Sequence, residues 1–120
     1  MVVCQGKLLV ERTWLGDGRW GLPGGGLHKG EASIDGALRE LEEETGIKLA
    51  ANDLQFIAGY RMSVQGLSFK YDLFKTELNM FPQLHQQTGE IVDIQWLTVA
   101  ELLENVIRPD VEEALKIWPV

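Results

Sequence analysis

Between residues 67 and 73 apolar and polar side chains alternate without a break, with Leu67, Phe69, Tyr71 and Leu73 interleaved by Ser68, Lys70 and Asp72. Successive side chains of a strand point to opposite faces, so this spacing predicts a strand, taken over Leu67 to Leu78 with a turn at Gln65-Gly66 ahead of it. Apolar-rich stretches predict further strands over Lys7 to Arg12, Gln55 to Met62 and Ile91 to Leu97. Three segments carry helical signals. Ser33 to Thr45 has Ser33 in the N-cap place and Gly46 in the place of a C-terminal stop. Thr98-Val-Ala-Glu101 has the form of a capping box, and a helix from Asp110, after Pro109, would put Val111, Ala114, Leu115 and Trp118 on one face. Strands mixed with amphipathic helices predict a layered α/β domain, and with no repeat, linker or low-complexity tract, residues 1 to 120 read as one unit.

The first helix is unusual in what it presents. At about 100° per residue, Glu40, Glu43 and Glu44 share one arc while Ile34, Leu38, Leu41 and Thr45 lie nearly opposite. One face reads as core and the other as a carboxylate cluster. Crowded ionised carboxylates spread into solvent, take up protons or collect a cation. A hard divalent ion such as Mg²⁺ suits such oxygen ligands, completing its shell with waters and substrate phosphate oxygens, and that arrangement supports metal-assisted phosphoryl chemistry. Arg39 stands at i,i+4 from Glu43, close enough to orient it. Gly36 falls on the acidic face at a cost of about 1 kcal/mol relative to Ala, which reads as room left for metal, water or substrate. Taken alone, however, a Glu-rich helix face is ordinarily solvated surface, and the run Gly24-Gly25-Gly26 fits any loop.

Charge narrows the classes of partner. With 11 Lys and Arg against 18 Asp and Glu, the formal charge is −7, which argues against a protein that wraps duplex nucleic acid. An acidic protein still binds a phosphate substrate if a cation sits between them. No stretch has the length and apolar character of a membrane span, and the N-terminus lacks the layout of a signal peptide, so a cytoplasmic location is expected. The single cysteine, Cys4, has no partner for an intramolecular disulfide or a zinc pair and reads as a small buried hydrophobe.

The joint spacing of loop and helix carries the strongest signal. Gly25, Glu31, Arg39, Glu40, Leu41, Glu43, Glu44, Gly46 and Ile47 fill, without departure, the pattern glycine, five residues, glutamate, seven residues, then Arg-Glu-aliphatic-any-Glu-Glu-any-Gly-aliphatic. From average residue usage, a chance match at a given start is on the order of one in a billion. This segment resembles the Nudix box, and Trp20-Gly-Leu-Pro23 before it and Trp96-Leu-Thr98 after it resemble common Nudix context.

The resemblance implies an α/β fold, a Nudix-type α/β/α sandwich with a mixed β-sheet. It further implies hydrolysis of a diphosphate linkage in a nucleoside diphosphate derivative or nucleoside triphosphate, with Mg²⁺ or Mn²⁺ as cofactor. Carried over by position, Glu40, Glu43 and Glu44 resemble the metal-binding carboxylates, one of which also takes the proton of the attacking water. Glu31 resembles the box glutamate that supports the helix and, in some members, the metal shell, and Arg39 the arginine that orients the acidic groups. Gly25 and Gly46 serve the backbone, one at a close approach and one at the helix stop. Outside the box, Glu90 is the candidate for a catalytic glutamate from a later loop, against a solvated loop residue. Arg12 is a candidate for a substrate phosphate, against a surface ion pair. His28 and His85 read as loop residues, and Trp14, Tyr60, Phe69 and Tyr71 as core or a base-stacking platform. The chain has only Met-Val-Val-Cys4 ahead of Lys7-containing strand residues, so the family's first strand is very short or incomplete. A shortened strand exposing a sheet edge would invite a homodimer. The alternative to an enzyme is a catalytically silent Nudix fold that binds a nucleotide.

Overall fold

A computed structural model of the chain describes residues 1–14, 17–64 and 66–118. Its elements are β1 (Val2–Cys4), β2 (Lys7–Thr13), α1 (Ser33–Thr45), a 3₁₀ turn (Ala51–Asp53), β3 (Gln55–Val64), β4 (Leu67–Leu78), β5 (Ile91–Leu97), α2 (Val99–Leu103) and α3 (Pro109–Ile117). The strands lie in the order β3-β4-β1-β2-β5, with β1 parallel to β4 and the other neighbours antiparallel, so the sheet is mixed.

Alternation along β2 organises the layers. Leu8 and Val10 point into a cluster with Trp20, Leu73, Leu102, Val111, Ala114 and Trp118, which packs α2 and α3 on one face of the sheet. Leu9 points the other way, toward Val2, Leu41 and Ile47, and so packs α1 on the opposite face. Leu8, Leu9 and Val10 have no solvent exposure, and each such side chain contributes about 1.5–3 kcal/mol on burial. Helices on both faces of a mixed sheet make the α/β/α sandwich that the Nudix resemblance implies.

The structure refines several expectations. Ser33 is the first helical residue of α1, not its cap; that place falls to Ala32, in extended backbone and without a capping side chain. The helix starts there because Gly36 N–H donates to the Ala32 carbonyl at 3.0 Å. Gly46 does end α1, at φ 78°, with its N–H on the Glu42 carbonyl. Thr98 caps α2 in the predicted reciprocal arrangement with Glu101. α3 begins one residue early, at Pro109, whose fixed φ and missing N–H suit the first helical position. In the predicted turn Gly66 has φ 80°, while Gln65 lies outside the described residues.

The first strand is real but has only three residues. It lies between β4 and β2, so its shortness opens no sheet edge, and the edge argument for a homodimer loses its basis. The strands at the margins are β3 and β5. Cys4 is buried, as its reading as a small hydrophobe requires. Among the described residues, no helix is long and apolar enough to cross a membrane.

Candidate active site

The site is assembled where the chain leaves β2, returns beside it, and enters α1. Glu11 and Gly21 exchange both backbone hydrogen bonds, at 2.8 and 2.9 Å, so Trp20 and Gly21 continue the sheet along the upper part of β2. On the far side of this segment the Trp20 N–H donates to the Val106 carbonyl at 3.0 Å, the Trp20 carbonyl accepts from the Arg108 N–H at 2.8 Å, and the Leu22 N–H donates to the half-buried Asp110 carboxylate at 3.1 Å. The start of α3 thereby anchors the loop that follows. Gly24 N–H then donates to Glu44 Oε1 at 2.7 Å, tying the loop to α1.

Gly25 has a specific steric reason to be glycine. A Cβ there would lie 2.9 Å from Glu40 Cδ, so the loop backbone and this carboxylate share the available space. Gly36 has a different reason from the one its helix position suggests. A Cβ at Gly36 would lie 2.2 Å from Leu27 Cδ2, so the room is filled by a loop side chain and not kept open for metal or substrate.

Arg39 is the hub of the helix face. Its Nε and Nη2 donate to the two oxygens of Glu31, both at 2.9 Å. Its Nη1 reaches Glu40 at 2.9 Å and Glu43 at 3.3 Å, and its Nη2 also reaches the Gly26 carbonyl at 3.1 Å. A planar guanidinium supplies donors in a fixed fork, so one side chain sets the positions of three carboxylates. Glu31 also accepts the His28 N–H at 3.0 Å. The Arg39 hydrogen bonds, followed by that of His28, hold the Glu31 carboxyl down at about 2.

Glu44 departs from the helical-wheel expectation. It is only 4% exposed, enclosed between α1 and β2 and not on an open acidic face. The wheel cannot see this, because the loop at Gly24 and the strand at Glu11 close over that flank. Burial pushes the Glu44 carboxyl up to about 7, against the hydrogen bonds from Glu11 and Gly24 that lower it. Its neighbour Glu11 is a functional candidate absent from the sequence reading. It is 1% exposed and pushed up to about 10, first by burial and then by the charge and hydrogen bond of Glu44. Two carboxyls in one buried seam share a proton at neutral pH, since the single Gly24 N–H does not compensate two full charges there. A signal for Glu11 was present: in the predicted strand it shares a face with the apolar Leu9.

The remaining candidates divide. Glu90 is exposed, its carbonyl accepts the Trp14 N–H at 3.0 Å, and its charge acts on Glu44, so it borders the site. Backbone bonds from His85 to Thr45 and from Gln87 to Glu43, at 2.8 and 2.7 Å, fix the loop that carries it. Arg12 forms an ion pair with Asp93 at 2.7 Å and stacks over Trp20 at 4.4 Å. That is the surface-pair alternative with an aromatic partner added. His28 and His85 lie in loops. Tyr60 and Tyr71 pack against the core, whereas Trp14 and Phe69 are exposed at 62% and 43%. Among the described residues, no group of three acidic, imidazole or thiol side chains is already drawn together as a metal cage. Arg39 holds Glu40 and Glu43, and Gly24 and Glu11 hold Glu44.

Known proteins share both sequence and fold with this chain. Residues 1–117 match the family model described as NUDIX domain. The chain is 38% identical over 100 residues to Nudix hydrolase 6 of Arabidopsis thaliana, a match covering 80% of this chain and 34% of that protein. It is 31% identical over 122 residues to phosphatase NudJ of Escherichia coli K12, covering 98% of this chain and 78% of that protein. In fold it is similar to the NUDIX domain of Shewanella oneidensis NrtR, solved in complex with ADP ribose, with a TM-score of 0.80 at 18% identity over 96% of this chain and 82% of that one. The family match spans almost the whole chain and includes the arginine-centred carboxylates and the glycine loop; the chain belongs to the Nudix hydrolase family.

Proposed function

We propose that the chain is a metal-dependent pyrophosphohydrolase that cleaves the diphosphate linkage of a nucleoside diphosphate derivative, with Mg²⁺ or Mn²⁺ bound by Glu40, Glu43 and Glu44. The observation that carries this reading is the fan of Glu31, Glu40 and Glu43 on Arg39, next to Glu44 seated on the Gly24 N–H. The residues fit such an ion. Their donors are all carboxylate oxygens, the class preferred by hard divalent cations. The buried Glu11 and Glu44 pair has a sealed carboxylate oxygen that no backbone or basic side-chain donor reaches among the described residues, a place where positive charge is favourable.

Bound there, a divalent ion supplies polarisation of a phosphorus–oxygen bond and activation of water for attack on phosphorus. The chain's own groups do the rest. Arg39 keeps Glu40 and Glu43 in fixed orientations, so little reorganisation is needed when charge develops. One of the three glutamates accepts the proton of the attacking water. The loop at Gly25 brings backbone next to Glu40 and so lines the place of the diphosphate. Glu90 borders this space from the later loop, and Arg12, with its Nη2 on Asp93, is the candidate for a substrate phosphate.

A second reading, a Nudix fold that binds a nucleotide without cleaving it, draws support from the likeness to a NUDIX domain held in complex with ADP ribose. One panel separates the two. ADP ribose, nucleoside diphosphate sugars, dinucleotides and nucleoside triphosphates are incubated with Mg²⁺ or Mn²⁺. Release of a nucleoside monophosphate supports the enzyme; tight binding with no product overturns it.

A further inference from the structure

Glu11 is held where it cannot avoid the site. Its backbone is bonded on one side to Gly21 and paired on the other with Ile94 of β5. Alternation along β2 turns its side chain to the α1 face, the face of Leu9, Leu41 and Ile47. There it meets Glu44 from α1, with Arg108 and Asp110 acting on it from the start of α3. Arg108 acts on it through its charge but is not bonded to it, and its Nη2 donates to Thr13 at 3.3 Å. The Oε2 atom of Glu11 is sealed from solvent and reached by no backbone or basic side-chain donor among the described residues, so that a proton shared with Glu44 is its compensation in the metal-free protein. Buried polar atoms are rarely left so, and a leucine at this position would continue the apolar face of β2 without the penalty.

We propose that Glu11 is a fourth carboxylate of the divalent-ion site, binding from the sheet side while Glu40, Glu43 and Glu44 bind from the helix. The inference rests on the metal-dependent reading above. It gives the unpartnered oxygen its missing partner, and it explains why an acid stands inside a strand that is otherwise apolar at its buried positions. A rigid strand position also makes Glu11 the least adjustable donor of the set.

The test is Mn²⁺ binding to the full chain at neutral pH, read from the electron paramagnetic resonance signal of the free ion. Wild type is compared with Glu11→Gln and with Glu43→Gln. Glutamine keeps the volume of the side chain and can donate to Glu44, so a purely structural Glu11 predicts unchanged binding. A fourth ligand predicts Mn²⁺ affinity lower by about tenfold or more in Glu11→Gln. It also predicts greater broadening of the bound-ion signal in oxygen-17-labelled water, because a water takes the vacated position. Equal affinity and equal broadening in wild type and Glu11→Gln overturn the proposal while leaving the metal-dependent reading intact. Failure of wild type itself to bind Mn²⁺ overturns both. Should Glu11→Gln be unfolded by circular dichroism, Glu11→Asp takes its place, with weaker binding in support and equal binding against.

Discussion

Arg39 grips Glu31 through two parallel hydrogen bonds of 2.9 Å, eight residues back along the chain. The contact clamps the loop to the helix, and the same guanidinium then turns Glu40 and Glu43 to their places. Lysine cannot reproduce the fork, because its single ammonium addresses one carboxylate at a time. Arg39→Lys and Glu31→Gln are therefore expected to lower kcat/KM by about 10- to 100-fold. Circular dichroism is expected to show both variants folded. Steady-state hydrolysis of the best substrate from the panel checks this, and unaltered turnover in Arg39→Lys would contradict it.

The Glu11 and Glu44 pair predicts an unusual pH dependence for the metal-free protein. Both carboxyls are raised in the fold from an ordinary value of 4.5, to about 10 and about 7 respectively. The folded state thus holds protons that the unfolded chain has released. The stability from these groups is fully present below about 4.5, and is lost as pH rises through 7 and on toward 10. With a chelator present, the unfolding midpoint in urea is expected to fall steadily from pH 5 to pH 9, and Glu11→Gln is expected to flatten the fall. A midpoint that rises over that range in wild type would contradict this account.

Gly25→Ala tests the close approach of loop and helix. The new methyl would lie 2.9 Å from Glu40 Cδ, and Glu40, as a flexible side chain, is the group that moves. The fold should persist with stability changed by about 1 kcal/mol or less, while turnover drops by about tenfold or more because Glu40 is misplaced. Equilibrium unfolding and kinetics on one preparation separate the two effects.

Gly46→Ala should act in the opposite sense, on stability first. The residue has φ 78°, and a Cβ would come within 2.6 Å of the His85 carbonyl oxygen, a backbone atom that cannot simply rotate away. A loss of about 1–3 kcal/mol is expected in urea unfolding. Because His85 and Gln87 bond the last carbonyls of α1, hydrogen exchange in residues 84–90 should quicken as well. Unchanged exchange in that loop would contradict the idea that Gly46 holds it.

Much of this molecule was legible before any coordinates, for a physical reason. The box residues lie close in sequence, and helical spacing alone puts Arg39 beside Glu43 and ends α1 at Gly46. Alternation likewise located β4, although its first half projects from the core: Leu67 is 73% exposed and Phe69 43%. A period of two tells which residues share a face, not whether anything packs on that face. Sheet order was not legible, since the insertion of β1 between β4 and β2 depends on pairing across more than 70 residues. The burial of Glu44 and Glu11 failed to show for the same reason: it is produced by a loop that crosses over from Gly21 to Gly24. Ser33 looked like a cap because its residue type favours that role, yet the helix starts one residue earlier than the type alone suggests.

The most direct measurement of the central claim is hydrolysis of ADP ribose or a nucleoside diphosphate sugar by wild type, Glu43→Gln and Glu44→Gln, with Mg²⁺ and again with excess chelator. The account predicts monophosphate release by wild type with Mg²⁺, at least a hundredfold loss in both variants, and none in any sample with chelator. Full turnover in the double Gln variant, or turnover that persists when the chelator is present, would contradict it.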